Sequence, residues 1–291
     1  MIYPQDNMIH FLKGKFWYIF SLFLIQSALH AEKISPSVIV SVAPHKFFVN
    51  QIAKEKVDVI LMVPAGASSH TYEPTPRQMI EAGKAKIWFR IGESFENRAI
   101  QALKSHHSDI EIVDMRKGLD LICDRVCCCS KEGADLHFWL SARQGEIQAK
   151  TIAEALIQAF PEHKEFFQSN LEIFIQKLKD LDQKIEQILA PLKNRAIFVS
   201  HPAYAYFCRD YQLQQYSIEM EGKDPTPQQT TKLLKLMRDL KASTIFIQMQ
   251  YNNKAAKLIA DTLDAKLVIL DPYSEHYIAS MLEIANAFSK Q

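Results

Sequence analysis

Four residues of this 291-residue chain combine types and settings that suit metal chemistry: His70, His137, His201 and Asp271. Their surroundings read SSHTYEPTP, DLHFWLS, VSHPAYAYF and VILDPYSEH, and each side chain falls where a predicted strand or loop meets a following helix. Imidazole nitrogen and carboxylate oxygen are donors that Zn2+ accepts readily in tetrahedral geometry, so residues far apart in sequence can share one ion if the fold converges them. A histidine alone carries little, since it is more often a helix cap or a hydrogen-bonded core residue. Three imidazoles with a carboxylate or water also describe hydrolytic zinc sites. Hydrolysis, however, needs an open coordination position and a general base beside the metal-bound water. No H-E-x-x-H helix and no serine elbow supplies that base, and a ligand at Asp271 would close the shell, so binding is the stronger reading and a zinc-dependent hydrolase the weaker one.

The elements that must position these residues alternate between strand and helix. Val38 to Val42 is a short β-branched run, Pro44 to Lys54 has helical spacing, Val57 to Val63 and Ile87 to Ile91 read as strands, and Pro76 to Lys84 as the helix between them. Ile112 to Asp114 adds a strand and Glu146 to Phe160 a helix. Later in the chain, strands are expected at Ala196 to Val199, Thr244 to Ile247 and Leu267 to Leu270, with helices over Thr226 to Lys241 and Asn253 to Leu263. Such alternation predicts an α/β protein with mainly parallel sheets. His201 and Asp271 then lie at the carboxyl ends of strands, where crevices of open parallel sheets form.

Between the two alternating stretches, Leu171, Phe174, Leu178, Leu181, Ile185 and Ile188 recur at spacings of three and four, with Lys177, Lys179, Asp180, Lys184 and Glu186 among them. This is one amphipathic helix, opened by Pro161 and stopped by Pro191, roughly 28 residues and 42 Å long at 1.5 Å per residue. Fewer than four heptads make a coiled coil the weaker interpretation.

The runs GASSHTYEPTPRQ (Gly66 to Gln78), H-x-W-L-S (His137 to Ser141) and SHPAYAYF (Ser200 to Phe207), in this order, resemble the metal-specific solute-binding proteins of zinc and manganese ABC transporters. The zinc-uptake branch is the nearest in wording. The resemblance extends from about Val38 to Phe288. It implies that His70, His137, His201 and Asp271 are the metal ligands, two from each of two lobes meeting in a cleft, with the long helix as the backbone joining the lobes. It also implies that the chain is not an enzyme. Its function would be to capture Zn2+ and deliver it to a membrane permease with its ATPase. Zinc-type members similarly carry histidine at the third position, where manganese-type members often place a carboxylate, so His201 points to zinc over the alternatives of Mn2+ or Fe2+.

Composition and the N-terminal segment agree with that class. With 48% apolar residues, the chain can build two domains of ordinary size, and a net charge of +1 without a long Lys/Arg run gives no reason to expect nucleic acid or a membrane surface as partner. Lys13 and Lys15 precede an apolar run, Phe16 to Ile25, too short to span a bilayer, and Leu29-His30-Ala31 resembles a cleavage site, so residues 1–31 read as a secretory signal peptide. No cysteine lies near that site to take a lipid, and a soluble monomer in a periplasm is expected. The remaining boundaries are 32–160 for an N-terminal lobe, 161–190 for the linking helix and 191–291 for a C-terminal lobe.

Cys123, Cys127, Cys128 and Cys129 crowd one polar loop before His137, and Cys208 stands apart. In an oxidising compartment disulfides are the plain expectation. The sharper one is an auxiliary soft-metal collector, since similar proteins often carry a His-rich or acidic loop here. His106 and His107 sit in a polar stretch, His45 and His163 at helix starts, and His276 at a surface helix position. Glu73 is a candidate to orient His70, or else a helix cap. Trp139, Tyr204, Tyr206 and Phe207 read as core or cleft wall.

Overall fold

Short runs rich in β-branched and aromatic residues, such as SVIV, IWFR, AIFV and TIFI, form strands of four residues each. The structure, a computed structural model, describes residues 36–106, 109–123, 133–192, 195–219 and 222–291. The expectations for the signal segment 1–31, for His107 and for Cys127, Cys128 and Cys129 lie outside those residues.

The first half runs β1 (Ser37–Val40), α1 (Ala43–Ala53), β2 (Asp58–Leu61), α2 (Pro76–Ala82), β3 (Ile87–Arg90), α3 (Ser94–His106) and β4 (Glu111–Asp114). Then come α4 (Ala142–Ala159) and α5 (Lys164–Leu189). The second half runs β5 (Ala196–Val199), α6 (Ala205–Asp210), β6 (Gln214–Ser217), α7 (Pro227–Asp239), β7 (Thr244–Ile247), α8 (Lys254–Leu263), β8 (Lys266–Ile269) and α9 (Tyr277–Ser289). The strands make two four-stranded sheets of identical topology, β2-β1-β3-β4 and β6-β5-β7-β8, in which every neighbouring pair is parallel. The α/β class with parallel sheets is as the alternation predicts.

Alternate residues of a strand point to opposite faces, and the burial follows that period. Val38, Val40, Ile87, Phe89, Ile197, Val199 and Phe246 belong to one continuous core shared by both halves. Ile39 and Trp88 turn into a private core of the first half, and Phe198, Ile245 and Ile247 into one of the second. The long helix α5 is central to the shared core: Phe167, Phe174, Leu178, Leu181, Ile185 and Leu189 are its buried stripe, and it packs on α1, α4 and α9. At 26 residues it spans roughly 39 Å, flanked by single 3-10 turns at Pro161–His163 and Ala190–Leu192. Because one apolar core runs through α5 into both sheets, moving the sheets apart would expose core residues.

Helix starts are set by local chemistry. Thr75 and Thr226 each accept through the side chain from the backbone N–H three residues on, and the side-chain oxygens of Gln78 and Gln229 accept in turn from the Thr backbone N–H, a reciprocal capping box with a proline at the first helical position. Ser141 caps α4 by accepting from Gln144 N–H at 3.0 Å, which starts that helix at Ala142, earlier than the expected Glu146. Two elements escaped the sequence reading, α3 and β6, while α6 and α9 are the helices expected to follow His201 and Asp271, for which the sequence set no bounds. The stretch at the end of α3 was expected only to be polar, yet Phe95, Ala99, Ile100 and Leu103 form a buried face on the helix that ends at His106. β6, with sequence QQYS, is an edge strand lacking the apolar run that marks its neighbours. No helix among the described residues is long and apolar enough to cross a membrane.

Candidate metal centre

The carboxyl ends of the strands supply most of the site. His201 follows β5 by two residues, Glu219 follows β6 by two, Glu93 follows β3 by three and Asp271 follows β8 by two. His70 comes from the 3-10 turn Ser69–Thr71 after β2, and His137 precedes the 3-10 turn Phe138–Leu140. β1–β3 and β5–β7 are the points where each sheet reverses its winding direction, and such points open crevices at the carboxyl ends.

Three of the four expected ligands converge. His70, His137 and His201 each offer a ring nitrogen, and these atoms lie within 4.8 Å of one another. The three ring centroids are 5.2 to 5.3 Å apart, and Nε2 of His70 is 3.3 Å from Nε2 of His201. The other nitrogen of every ring faces a carboxylate: Nδ1 of His70 is 2.9 Å from Glu93, Nδ1 of His137 is 2.8 Å from Asp135, and Nδ1 of His201 is 3.0 Å from Glu219. A carboxylate only accepts, so each Nδ1 carries the proton and donates it, which leaves the Nε2 lone pair toward the centre. The arrangement can hold a divalent cation, with three carboxylates answering its charge from behind the rings.

The fourth expected ligand is not brought into that group. Asp271 Oδ1 accepts from Gln250 Nε2 at 2.8 Å and from the Tyr273 backbone N–H at 3.0 Å, an Asx turn that occupies the carboxylate in shaping its own loop. Glu73 does not orient His70 either: it pairs with Arg98, and Glu93 takes the role instead. Glu93 was within reach of the strand-end rule applied to β3, and Asp135 of the spacing D-x-H. Glu219 follows the edge strand that the sequence did not disclose.

Burial and charge set the protonation of these groups. Burial opposes a charge on His70, but the Glu93 hydrogen bond and the charges of Glu93, Asp135 and Glu219 outweigh it, and its pKa lies above the ordinary 6.5. Burial likewise opposes ionisation of Glu93, yet the bonds from His70 and Ser69 hold its pKa below the usual value. His201 is lowered by burial and by the neighbouring His137 and His70, with Glu219 pulling the other way. His137 and His201 have side chains 5% and 7% exposed, whereas His70 is 33% exposed and borders an open cleft of about 790 Å3. The cleft is lined by His70, His201, Glu219, Lys223, Asp224 and Tyr251 among others, and so provides the way in. Tyr251 lies flat on His201, 3.9 Å between centroids and 13° between planes.

The remaining sequence candidates have other occupations. Trp139, Tyr204, Tyr206 and Phe207 are all buried. Trp139 Nε1 donates to the Pro272 carbonyl at 2.8 Å and Tyr206 Oη to the Asp135 carbonyl at 2.7 Å, so both brace backbone beside the site. His276 is exposed at the N-cap of α9, His163 ends the turn before α5, and Cys208 is buried in the core. Cys123 pairs across an isolated bridge with Ala134.

Residues 38–291 match the family model of the zinc-uptake complex component A, periplasmic. A Chlamydia muridarum protein provisionally named as metal-binding is 31% identical over 274 residues, covering 93% of this chain and 97% of that one. A crystal structure of ZnuA superposes with a TM-score of 0.83 at 31% identity, covering 88% of this chain and 98% of that chain. The manganese ABC transporter substrate-binding lipoprotein PsaA of Streptococcus pneumoniae is 29% identical over 223 residues, 72% of this chain and 70% of that one. The chain belongs to the ZnuA family of metal-binding, substrate-binding components of ABC metal transporters. That family consists of solute-binding proteins and not of enzymes.

Proposed function

We propose that this chain captures Zn2+ outside the cytoplasm through His70, His137 and His201 and surrenders it to the permease and ATPase of an ABC importer. The observation that carries the reading is the convergence of three imidazole nitrogens within 4.8 Å, each ring backed by its own carboxylate. A nitrogen-rich set favours Zn2+ over Mn2+, which lies at the weak end of the affinity order for such donors and prefers oxygen-rich octahedral shells. The family description and the ZnuA structure support zinc. The name of PsaA supports manganese as the second reading. In the proposed arrangement, lobes 32–160 and 191–291 flank helix 161–190, and residues 1–31 direct export to the periplasm and are removed.

The test is metal analysis of protein purified without added metal, followed by competition titration with Zn2+ and Mn2+. One tightly held equivalent of Zn2+ is expected. Stronger retention of Mn2+ would overturn the zinc assignment. N-terminal sequencing of the exported protein checks the leader, with Glu32 expected as the first residue.

A further inference from the structure

Cys123 and Ala134 form an isolated antiparallel bridge at the foot of the segment that carries His137. In an antiparallel ladder the two residues of a hydrogen-bonded pair exchange both of their N–H···O bonds. Ile122 and Asp135, the next pair along, make only one of them directly: the Asp135 N–H donates to the Ile122 carbonyl at 2.8 Å. The return bond is interrupted by the phenol of Tyr206. Its Oη accepts the Ile122 N–H at 3.0 Å and donates to the Asp135 carbonyl at 2.7 Å, so the hydroxyl stands as an inserted rung with its proton and a lone pair both engaged.

Resting on the zinc-capture reading, we propose that Tyr206 is a positioning residue for metal capture: its hydroxyl, inserted between Ile122 and Asp135, sets where the Asp135 carboxylate stands and, through it, the ring of His137. One oxygen of that carboxylate, Oδ1, takes both the His137 backbone N–H and His137 Nδ1, each at 2.8 Å, so a shift of the Asp135 backbone moves the ring and the main chain of His137 together. Tyr206 itself has little freedom. It is fully buried, the Arg209 guanidinium lies 5.2 Å from its ring centroid, and it stands in α6, the helix that starts four residues after His201. The same helix holds this segment at two further points, where Arg209 donates to the Asp120 carbonyl at 3.0 Å and Asp210 accepts from Ser141 Oγ at 2.5 Å. His137 and His201, far apart in sequence, are thereby set from one element.

Loss of the hydroxyl has a directed consequence. The Ile122 N–H and the Asp135 carbonyl would then face one another without partners, and closing the direct bond between them satisfies both. That closure draws Asp135 toward Ile122 and its carboxylate off the His137 ring. Nδ1 of His137 then loses the acceptor that keeps its Nε2 lone pair turned to the centre. In the intact protein burial pushes the Tyr206 phenol up, so the proton it donates stays in place.

The test titrates Zn2+ and Co2+ into the wild-type protein and into Tyr206→Phe, Asp135→Ala, the double variant and Tyr211→Phe, reading affinity by competition and geometry by the visible spectrum of bound Co2+. Tyr206→Phe keeps the ring beside Arg209 and is expected to weaken Zn2+ binding about fivefold, the worth of one ordinary hydrogen bond, and to change the Co2+ bands. Asp135→Ala keeps the backbone carbonyl that Tyr206 holds and removes the carboxylate, so it is expected to weaken binding by roughly 10- to 100-fold, and adding Tyr206→Phe to it should cost nothing further. Tyr211→Phe removes a phenol at the end of the same helix that bonds Asp182 at 2.9 Å instead of Asp135, and is expected to match wild type in affinity and spectrum. Tyr206→Phe matching wild type, the fivefold loss persisting in the Asp135→Ala background, or Tyr211→Phe reproducing the effect would overturn the assignment. A wild-type protein that binds no Zn2+ equivalent would instead remove the zinc-capture reading itself, and this proposal with it.

Discussion

Nδ1 of His70 lies 2.9 Å from a carboxylate oxygen of Glu93, whose side chain is only 5% exposed. That contact holds Glu93 ionised and raises the pKa of His70 above 6.5, so a proton competes with the metal for His70 at a higher pH than for an ordinary imidazole. Zn2+ binding should therefore begin to weaken while pH is still above 6.5 and fall further below it. Glu93→Gln keeps an oxygen to accept the Nδ1–H but removes the charge. Its expected effects are a 10- to 100-fold loss of affinity, roughly, at pH 8 and a shift of the proton competition to lower pH. Competition titrations between pH 5.5 and 8 measure both. An unchanged pH profile would mean that Glu93 does not set the state of His70.

His201 is wedged between Tyr251 and Glu219 with 7% of its side chain exposed, so its truncation removes a donor without opening a path that water cannot already reach. Metal that binds only the folded state stabilises it by about 2.7 kcal/mol at a hundredfold excess over the dissociation constant. Wild-type protein should show that gain as a rise in melting temperature, and His201→Ala should lose most of it. A variant lacking His70, His137 and His201 together that still takes up one equivalent with wild-type affinity would place the site elsewhere.

Metal preference should follow the donor type at the same position. Replacing nitrogen by carboxylate oxygen in His201→Glu brings the site closer to what Mn2+ prefers, while Zn2+ loses a favoured donor. The ratio of Zn2+ to Mn2+ affinity is expected to narrow in the variant. Parallel competition titrations of the two ions read that ratio directly, and a ratio equal to that of wild type would show that His201 does not discriminate between them.

Much of this architecture was legible because its signals are local. The period of α5 was readable from Phe174, Leu178, Leu181 and Ile185, and β5 and β7 coincide with the expected Ala196 to Val199 and Thr244 to Ile247. β6 was not readable, since QQYS at a sheet edge is held by pairing with β5 and carries no apolar run of its own. The site divides in the same way. Three histidines stood out by their motifs, but their carboxylate partners come from 23, 2 and 18 residues away, and only the fold decides that Glu93 rather than Glu73 reaches His70. Asp271 had the right type at a strand end. Its oxygen is taken by an Asx turn and by Gln250, which no residue pattern announced.

The last expectation concerns stability and comes from a histidine outside the metal group. His45, at the start of α1, is fully buried among Phe48, Phe138 and Trp139, donates through Nε2 to Gln148 Oε1 at 2.9 Å, and has no partner for Nδ1 among the described residues. Burial lowers its pKa to about 4, against a smaller opposing effect of the Gln148 bond. A pKa that is lower in the folded than in the unfolded state costs nothing above 6.5, where both states are neutral. Below 6.5 the unfolded chain gains a proton that the folded protein refuses, so stability falls with pH by about 3 kcal/mol between 6.5 and 4 from this group alone. Urea unfolding of the metal-free protein at a series of pH values measures the slope. His45→Leu fills the apolar pocket, removes the titrating nitrogen and should flatten the slope in that window by up to about one proton, or 1.4 kcal/mol per pH unit. All other titrating groups are common to the two proteins and cancel in the comparison, so equal slopes would show that His45 is not the source of the acid sensitivity.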